Sequence, residues 1–262
     1  GNITILQTIT HQAGFPNAVV GPDAWTDHER LREVVCNFPL EWSPGSKVHY
    51  HGLSAHWTLG VLIEAVTGRD FRDVIRETVC EHLGLGSDLY VGLPENEFGR
   101  TADMHEPMPA GKGCRPLAEN NTAAWRKSGA PGGAGYGTAR GMVALYQMML
   151  NGGELAGTRM VSPRLLQYAI RNHTGDRVDE FMGMPMHRGL GPHLRGITEN
   201  VRGLGGFASP RTFGHGGVGT SYCWGDPDSG VSFAYITNNR VSDPWHSKRL
   251  DLVANLVHAA IV

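Results

Sequence analysis

The chain has little cysteine, modest charge and no long apolar run, and each shortage removes a class of protein. Four cysteines in 262 residues form no Cys-x-x-Cys pair. Free thiols, buried or half-buried, are therefore expected in preference to a disulfide framework, and Cys36 and Cys80 fall in helical patterns beside apolar neighbours. No apolar stretch is long enough to span a bilayer; the start carries no signal-peptide pattern, which says little of a chain expected to begin inside a fold, so the location is left open with the cytoplasm favoured. Charged residues make up 18% of the chain and the formal net charge is -2. Without a Lys/Arg cluster, nucleic acid is excluded as the main partner.

What is present is enough chain to bury a good core, with 40% hydrophobic residues and 36 glycines. Many glycines sit in pairs such as Gly132-Gly133, Gly152-Gly153 and Gly205-Gly206, which points to tight turns and close backbone approaches. Ile3 to Leu6 reads as an entry strand or an uncapped first turn. Helical spacing covers residues 28–38, a stretch from Leu59 to a stop at Gly68, another from Asp70, and Thr138 to Leu150. Ser162-Pro163 opens a further helix. Residues 92–135 show no sustained period and read as a long irregular connection. Thr220 to Trp224 and Val231 to Thr237 are β-prone around a turn at Asp226–Gly230, and a last helix carries Leu250, Val253, Val257, Ala260 and Ile261. This layout predicts one α/β domain over residues 1–262. A helical region fills roughly 1–200; the sheet and closing helix fill roughly 201–262.

Three segments could carry chemistry. Phe213–Gly219 places four glycines around His215 just before a hairpin strand; its bare backbone could admit a ligand or stabilise an oxyanion, or could simply be a turn. Tyr50 follows the Pro44-Gly45 turn and precedes a helix. It could transfer protons if a cation lowered its pKa, or pack as an aromatic. His11 lies at a turn, where a structural role is as plausible as a catalytic one.

These segments resemble, in order, the serine β-lactamase-like superfamily of class C β-lactamases, penicillin-binding peptidases and family VIII carboxylesterases. Ile3–Pro16 is similar to the "TI-LLTHTSG-P" stretch. Trp42–Tyr50 resembles the segment that holds the family's catalytic tyrosine, and Leu59–Gly68 resembles "LG-IIE-VTG". Leu83–Leu85 with Gly92–Pro94, Gly137–Met142 and Gly152–Ser162 follow as later matches, and Phe213–Gly219 resembles the "HGG" form of the third motif. The resemblance implies a β-lactamase/transpeptidase-like α/β fold, an antiparallel sheet flanked by helices with an inserted, mainly helical region. It implies Tyr50 as the proton-transfer residue and His215 as a substrate-holding group. It also implies Gly216, Gly217 and Val218 as the backbone wall, with the Val218 N–H as an oxyanion donor. Gly52 stands where β-lactamases carry a substrate-binding asparagine. The family's nucleophile motif, Ser-x-x-Lys, is not present in the sequence, so the first strands and the nucleophile helix are expected to lie upstream.

The resulting expectation is ester hydrolysis through an acyl-serine intermediate, with a small-molecule ester or amide as partner and neither metal nor organic cofactor. β-Lactam or peptide hydrolysis, acyl transfer and a non-catalytic binding role stand as alternatives, as do self-association and a complementing N-terminal segment. Two other hydrolase classes fit poorly. His49-Tyr50-His51 opens a zinc pattern but Leu53 occupies the aspartate position, and Gly52-Leu53-Ser54-Ala55-His56 fails the last glycine of Gly-x-Ser-x-Gly.

Overall fold

The computed structural model describes residues 3–198 and 203–261. It opens with a short helix, α1 (Ile5–Ile9), where a strand or an uncapped turn was expected. The difference lies in Thr4-x-x-Gln7. The Thr4 hydroxyl accepts from the Gln7 N–H and the Gln7 side chain accepts from the Thr4 N–H, a reciprocal capping box. Helix α2 (His28–Cys36) starts where the Asp27 side chain accepts from the Arg30 N–H. Helix α3 (Gly52–Thr67) stops at Gly68, whose φ of 68° is the left-handed cap that glycine adopts without a Cβ penalty. Helix α4 (Phe71–Ile75) is capped by Asp70 and runs into a π-helical turn at Arg76–Glu81. Leu31, Val35, Trp57, Val61 and Phe71 of these helices bury one another together with Val20 and Ala130. The leucine, valine and phenylalanine side chains among them each contribute about 1.5–3 kcal/mol by leaving water.

The 92–135 connection is more ordered than its composition suggests. It follows strand β1 (Leu89–Val91), contains a hairpin of β2 (His105–Pro107) and β3 (Cys114–Pro116), and continues through α5 (Ala123–Ser128) to β4 (Gly135–Gly137), which pairs antiparallel with β1. Strands three residues long are too short for a period to register in sequence. Next come α6 (Ala139–Leu150), a small hairpin of β5 (Glu154–Leu155) and β6 (Thr158–Arg159), and α7 (Pro163–Ala169), which the Ser162 side chain caps. Strand β7 (Val178–Asp179) then pairs with β8 (Met184–Pro185).

The main sheet is antiparallel, in the order β12-β11-β10-β9, built from β9 (His193–Leu194), β10 (Phe213–Gly216), β11 (Tyr222–Asp226) and β12 (Val231–Tyr235). It therefore begins before residue 201, and the glycine-rich stretch is itself a strand. Strand alternation assigns the two faces. Tyr222, Trp224 and Phe233 pack with Leu250 and Val257 of the closing helix α8 (Trp245–Ala259). Phe213, Cys223 and Ala234 pack with Met142, Tyr146 and Met149 of α6. The cysteines are free: Cys80 and Cys223 are buried, but Cys36 and Cys114 are exposed. Cys36, the last residue of α2, faces solvent, against the expectation of a buried or half-buried thiol. Among the described residues no helix is long and apolar enough to cross a membrane.

Candidate active site

Tyr50 sits at the junction of four segments that are distant in sequence. Its own strand-like stretch is tied to the α1 turn, since the His49 N–H donates to the His11 carbonyl at 3.0 Å and the Gly45 N–H to the Gln12 carbonyl at 2.8 Å. His11 holds a left-handed φ of 59°, unusual for a residue with a Cβ. This turn sets its ring edge-on to Tyr50, with centroids 4.5 Å apart. From the sheet, His215 on β10 brings its ring to 6.2 Å from Tyr50. Tyr50, His215 and His11 therefore converge.

Two residues that the sequence did not single out lie beneath Tyr50. The Arg188 guanidinium is 4.8 Å from the centre of the Tyr50 ring. Arg188 is ion-paired to Asp179, its Nε donating to Oδ2 at 3.0 Å, and both side chains are essentially buried. The other Asp179 oxygen accepts from the backbone N–H groups of Tyr50, Phe181 and Met182 at 3.1–3.3 Å. One carboxylate thus fixes both the Tyr50 backbone and the cation under its ring. Asp179 lies 129 positions from Tyr50, a separation no local spacing could bridge. The visible signal was only a charged residue in a stretch with no helical or strand period.

The electrostatics follow from burial. Burial pushes the Tyr50 phenol above its ordinary value, Arg188 pulls it back down and Asp179 adds a smaller upward push. Burial outweighs the cation, so the hydroxyl holds its proton at neutral pH. Burial, helped by Arg188, lowers His215 to about 4 against the upward pull of its bond to Gly216. Its Nδ1–H donates to the Gly216 carbonyl at 2.8 Å, which leaves Nε2 of the neutral ring with a free lone pair. His193 stands 5.3 Å from His215, shares a hydrogen bond with the Tyr222 hydroxyl and is held neutral chiefly by burial. His51 is lowered to about 4, again by burial first. His11 Nδ1 and His51 Nε2 are buried without a hydrogen-bond partner among the described residues.

The glycines have physical reasons to be glycine. A Cβ on Gly52 would lie 2.5 Å from the Tyr50 hydroxyl oxygen, so the phenol folds back over the first residue of α3 and any side chain there would displace it. A Cβ on Gly216 would lie 2.5 Å from the Tyr222 ring. The Gly217 N–H donates to the Ser221 carbonyl at 2.9 Å. Val218 follows the end of β10 and is exposed.

Comparison with known proteins gives this arrangement a setting. The chain is 29% identical to "Esterase/beta-lactamase LipL" of Mycobacterium tuberculosis, over 92% of this chain and 59% of that protein. It is 26% identical to a putative D-alanyl-D-alanine carboxypeptidase of Escherichia coli K12, with the same coverage. The chain thus spans 59% of the length of these curated relatives. Among solved structures, a family VIII carboxylesterase superposes with a TM-score of 0.75 at 27% identity, covering 97% of this chain and 70% of that one. A penicillin-binding protein homologue from Caulobacter crescentus superposes with a TM-score of 0.73 at 26% identity, covering 98% and 71%. The Beta-lactamase family model matches residues 1–258, and the chain accordingly belongs to the beta-lactamase family.

Proposed function

We propose that this chain carries the proton-transfer and substrate-holding wall of an ester hydrolase that works through an acyl-serine intermediate. The nucleophile would come from a Ser-x-x-Lys segment outside this sequence. The observation that carries the reading is the convergence of a protonated Tyr50 and a neutral His215 over the buried Arg188–Asp179 pair. On attack the serine proton would pass to the lysine of the Ser-x-x-Lys segment; on collapse of the tetrahedral intermediate the neutral phenol would give its proton to the leaving alkoxide and take one back from that lysine, so each proton is accounted for. Arg188 supports this role by easing transient negative charge on the phenol oxygen. The Val218 N–H would donate to the tetrahedral oxyanion.

Two features favour an ester over a β-lactam. Gly52 offers no carboxamide for a substrate amide, and the Tyr50 hydroxyl occupies the space an asparagine side chain would need. His215, with a pKa of about 4, is uncharged at neutral pH and supplies no cation for a β-lactam carboxylate. LipL carries both esterase and beta-lactamase in its name, so the distinction is worth measuring. Turnover of nitrophenyl butyrate and of a chromogenic cephalosporin by the full-length protein tests the reading. Ester turnover with little or no cephalosporin turnover is expected; the reverse preference would overturn it.

A further inference from the structure

Arg249 stands in the second turn of α8 and reaches back to the sheet. Its Nη2 donates to the carbonyls of Gly219 at 2.8 Å, Thr220 at 3.0 Å and Asn239 at 3.3 Å. Gly219 and Thr220 belong to the turn between β10 and β11, and Asn239 to the segment that follows β12. The guanidinium also lies 5.7 Å from the centre of the Tyr235 ring on β12. Its Nε is buried without a hydrogen-bond partner among the described residues, which costs stability. A surface arginine on a helix avoids that cost by extending its head into water. The charge-assisted bonds to carbonyls of two separate segments offset it here.

The turn that Arg249 holds is the one that carries Val218. The Gly217 N–H is spent on the Ser221 carbonyl, and the Gly219 carbonyl also accepts from the Val241 N–H at 2.8 Å. The Thr237 hydroxyl donates to the Thr220 carbonyl at 3.0 Å. The Val218 N–H itself has no partner among the described residues. Gly219 has a φ of 69°, and a Cβ there would lie 2.5 Å from the Val241 carbonyl oxygen, so the turn has no room to shift toward that segment. Arg249 Nη2 also donates to His246 Nδ1 at 3.3 Å, which leaves the neutral imidazole its proton on Nε2. Burial, then Arg249, lowers the His246 pKa, while Asp243 and a hydrogen bond to the Gly217 backbone raise it. A backbone group that raises a histidine is an acceptor, so the partner is the Gly217 carbonyl. In a planar trans peptide unit the carbonyl and the following N–H point in opposite directions. A Gly217 carbonyl turned toward α8 therefore turns the Val218 N–H away from α8.

We propose that Arg249 is a positioning residue for the oxyanion donor, fixing the Gly217–Thr220 turn from behind and so holding the Val218 N–H in place for the tetrahedral oxygen; the assignment rests on the ester-hydrolase reading above. Arg249 acts through the turn and touches no reacting atom. Its effect falls on the transition state, because an oxyanion donor makes its full bond only there.

Arg249→Gln and Arg249→Lys in the full-length protein test this with nitrophenyl butyrate, a neutral substrate. Arg249→Gln should lower kcat roughly 10- to 100-fold and leave KM within about twofold. Arg249→Lys keeps the charge and the donors but not the planar fork, and its kcat should lie between the two. Melting curves set the folded fraction of each variant, and the lysine form keeps the test open if the glutamine form does not fold. An unchanged kcat would overturn the proposal. A loss confined to KM would overturn it too, since Arg249 would then be holding substrate. Amide hydrogen exchange over residues 216–221 of the same proteins gives a readout that needs no turnover. Faster exchange in Arg249→Gln is expected there, and an unchanged rate would contradict the pin. The two readings fail differently. Faster exchange in a protein with no ester turnover would count against the hydrolase reading. Ester turnover that Arg249→Gln leaves intact would count against Arg249 alone.

Discussion

Around Trp224 the molecule is closed by apolar side chains: Tyr222, Trp224 and Phe233 meet Leu250 and Val257 on one face of the sheet, and Phe213 and Cys223 meet Tyr146 on the other. Around Tyr50 the buried groups are polar or titratable: Asp179, Arg188, His11 and His51, with His215 beside them. The first region tolerates graded loss, because each methylene removed forfeits a share of transfer energy. The second is nearer to all-or-none, because one missing partner strands a charge where water cannot reach it. A site that must hold neutral phenol and imidazole beside a cation needs that second kind of construction, and the layered sheet supplies the rigid edge on which it is mounted.

The largest difference should come from Asp179→Ala. Losing the partner of a buried guanidinium costs about 3–5 kcal/mol, and three backbone N–H groups lose their acceptor as well. Denaturant unfolding checks this. An apolar double replacement of Asp179 and Arg188 should recover only part of the loss, since those N–H groups stay orphaned at about 1–3 kcal/mol each. Full recovery would mean that the carboxylate does no more than pair with the arginine.

In the sheet layer, Leu250→Ala should cost about 2–5 kcal/mol while leaving any activity per folded molecule intact. A matching fall in activity would erase the contrast between the two regions. Acid should act on both regions through their buried histidines: His11, His51 and His215 around Tyr50, and His193 and His258 against the sheet. The folded-state value of His51 is about 4 against 6.5 for the free side chain. The unfolded chain therefore binds the proton first, and stability is lost as the pH falls from about 6.5 toward 4 and levels off below that. For fully buried His51 alone this amounts to about 3 kcal/mol, and His11 and His193 add in the same direction. Melting temperature against pH reads it, and His51→Gln should flatten the slope. Gly52→Ala should have the smallest effect on stability, about 1–3 kcal/mol from the clash with Tyr50; it would displace the phenol and therefore cost activity out of proportion.

The legibility of the two regions in sequence differs for the same physical reason. The β-prone runs at Thr220–Trp224 and Val231–Thr237 and the helical spacing at Thr138–Leu150 and from Leu250 mark segments buried by apolar contact, so the sheet hairpin, α6 and α8 could be read directly. The very short elements could not: β2 and β3 have three residues each. At the site, turn and glycine chemistry left Tyr50 and His215 open between packing and function, and the ordered family resemblance gave them their roles. Arg188 and Asp179 did not stand out, because their value lies in contacts made over 129 positions of chain. The glycine at 52 could be seen as a departure from a motif, but only the structure explains it as room for the Tyr50 hydroxyl.

The account stands most directly on Tyr50 as the proton-transfer group. Hydrolysis of nitrophenyl butyrate by the full-length protein, compared with its Tyr50→Phe variant at equal folded concentration, measures this. The expected result is a fall in kcat of about 10²–10⁴-fold with an unchanged melting curve. Equal turnover in the two proteins would contradict it.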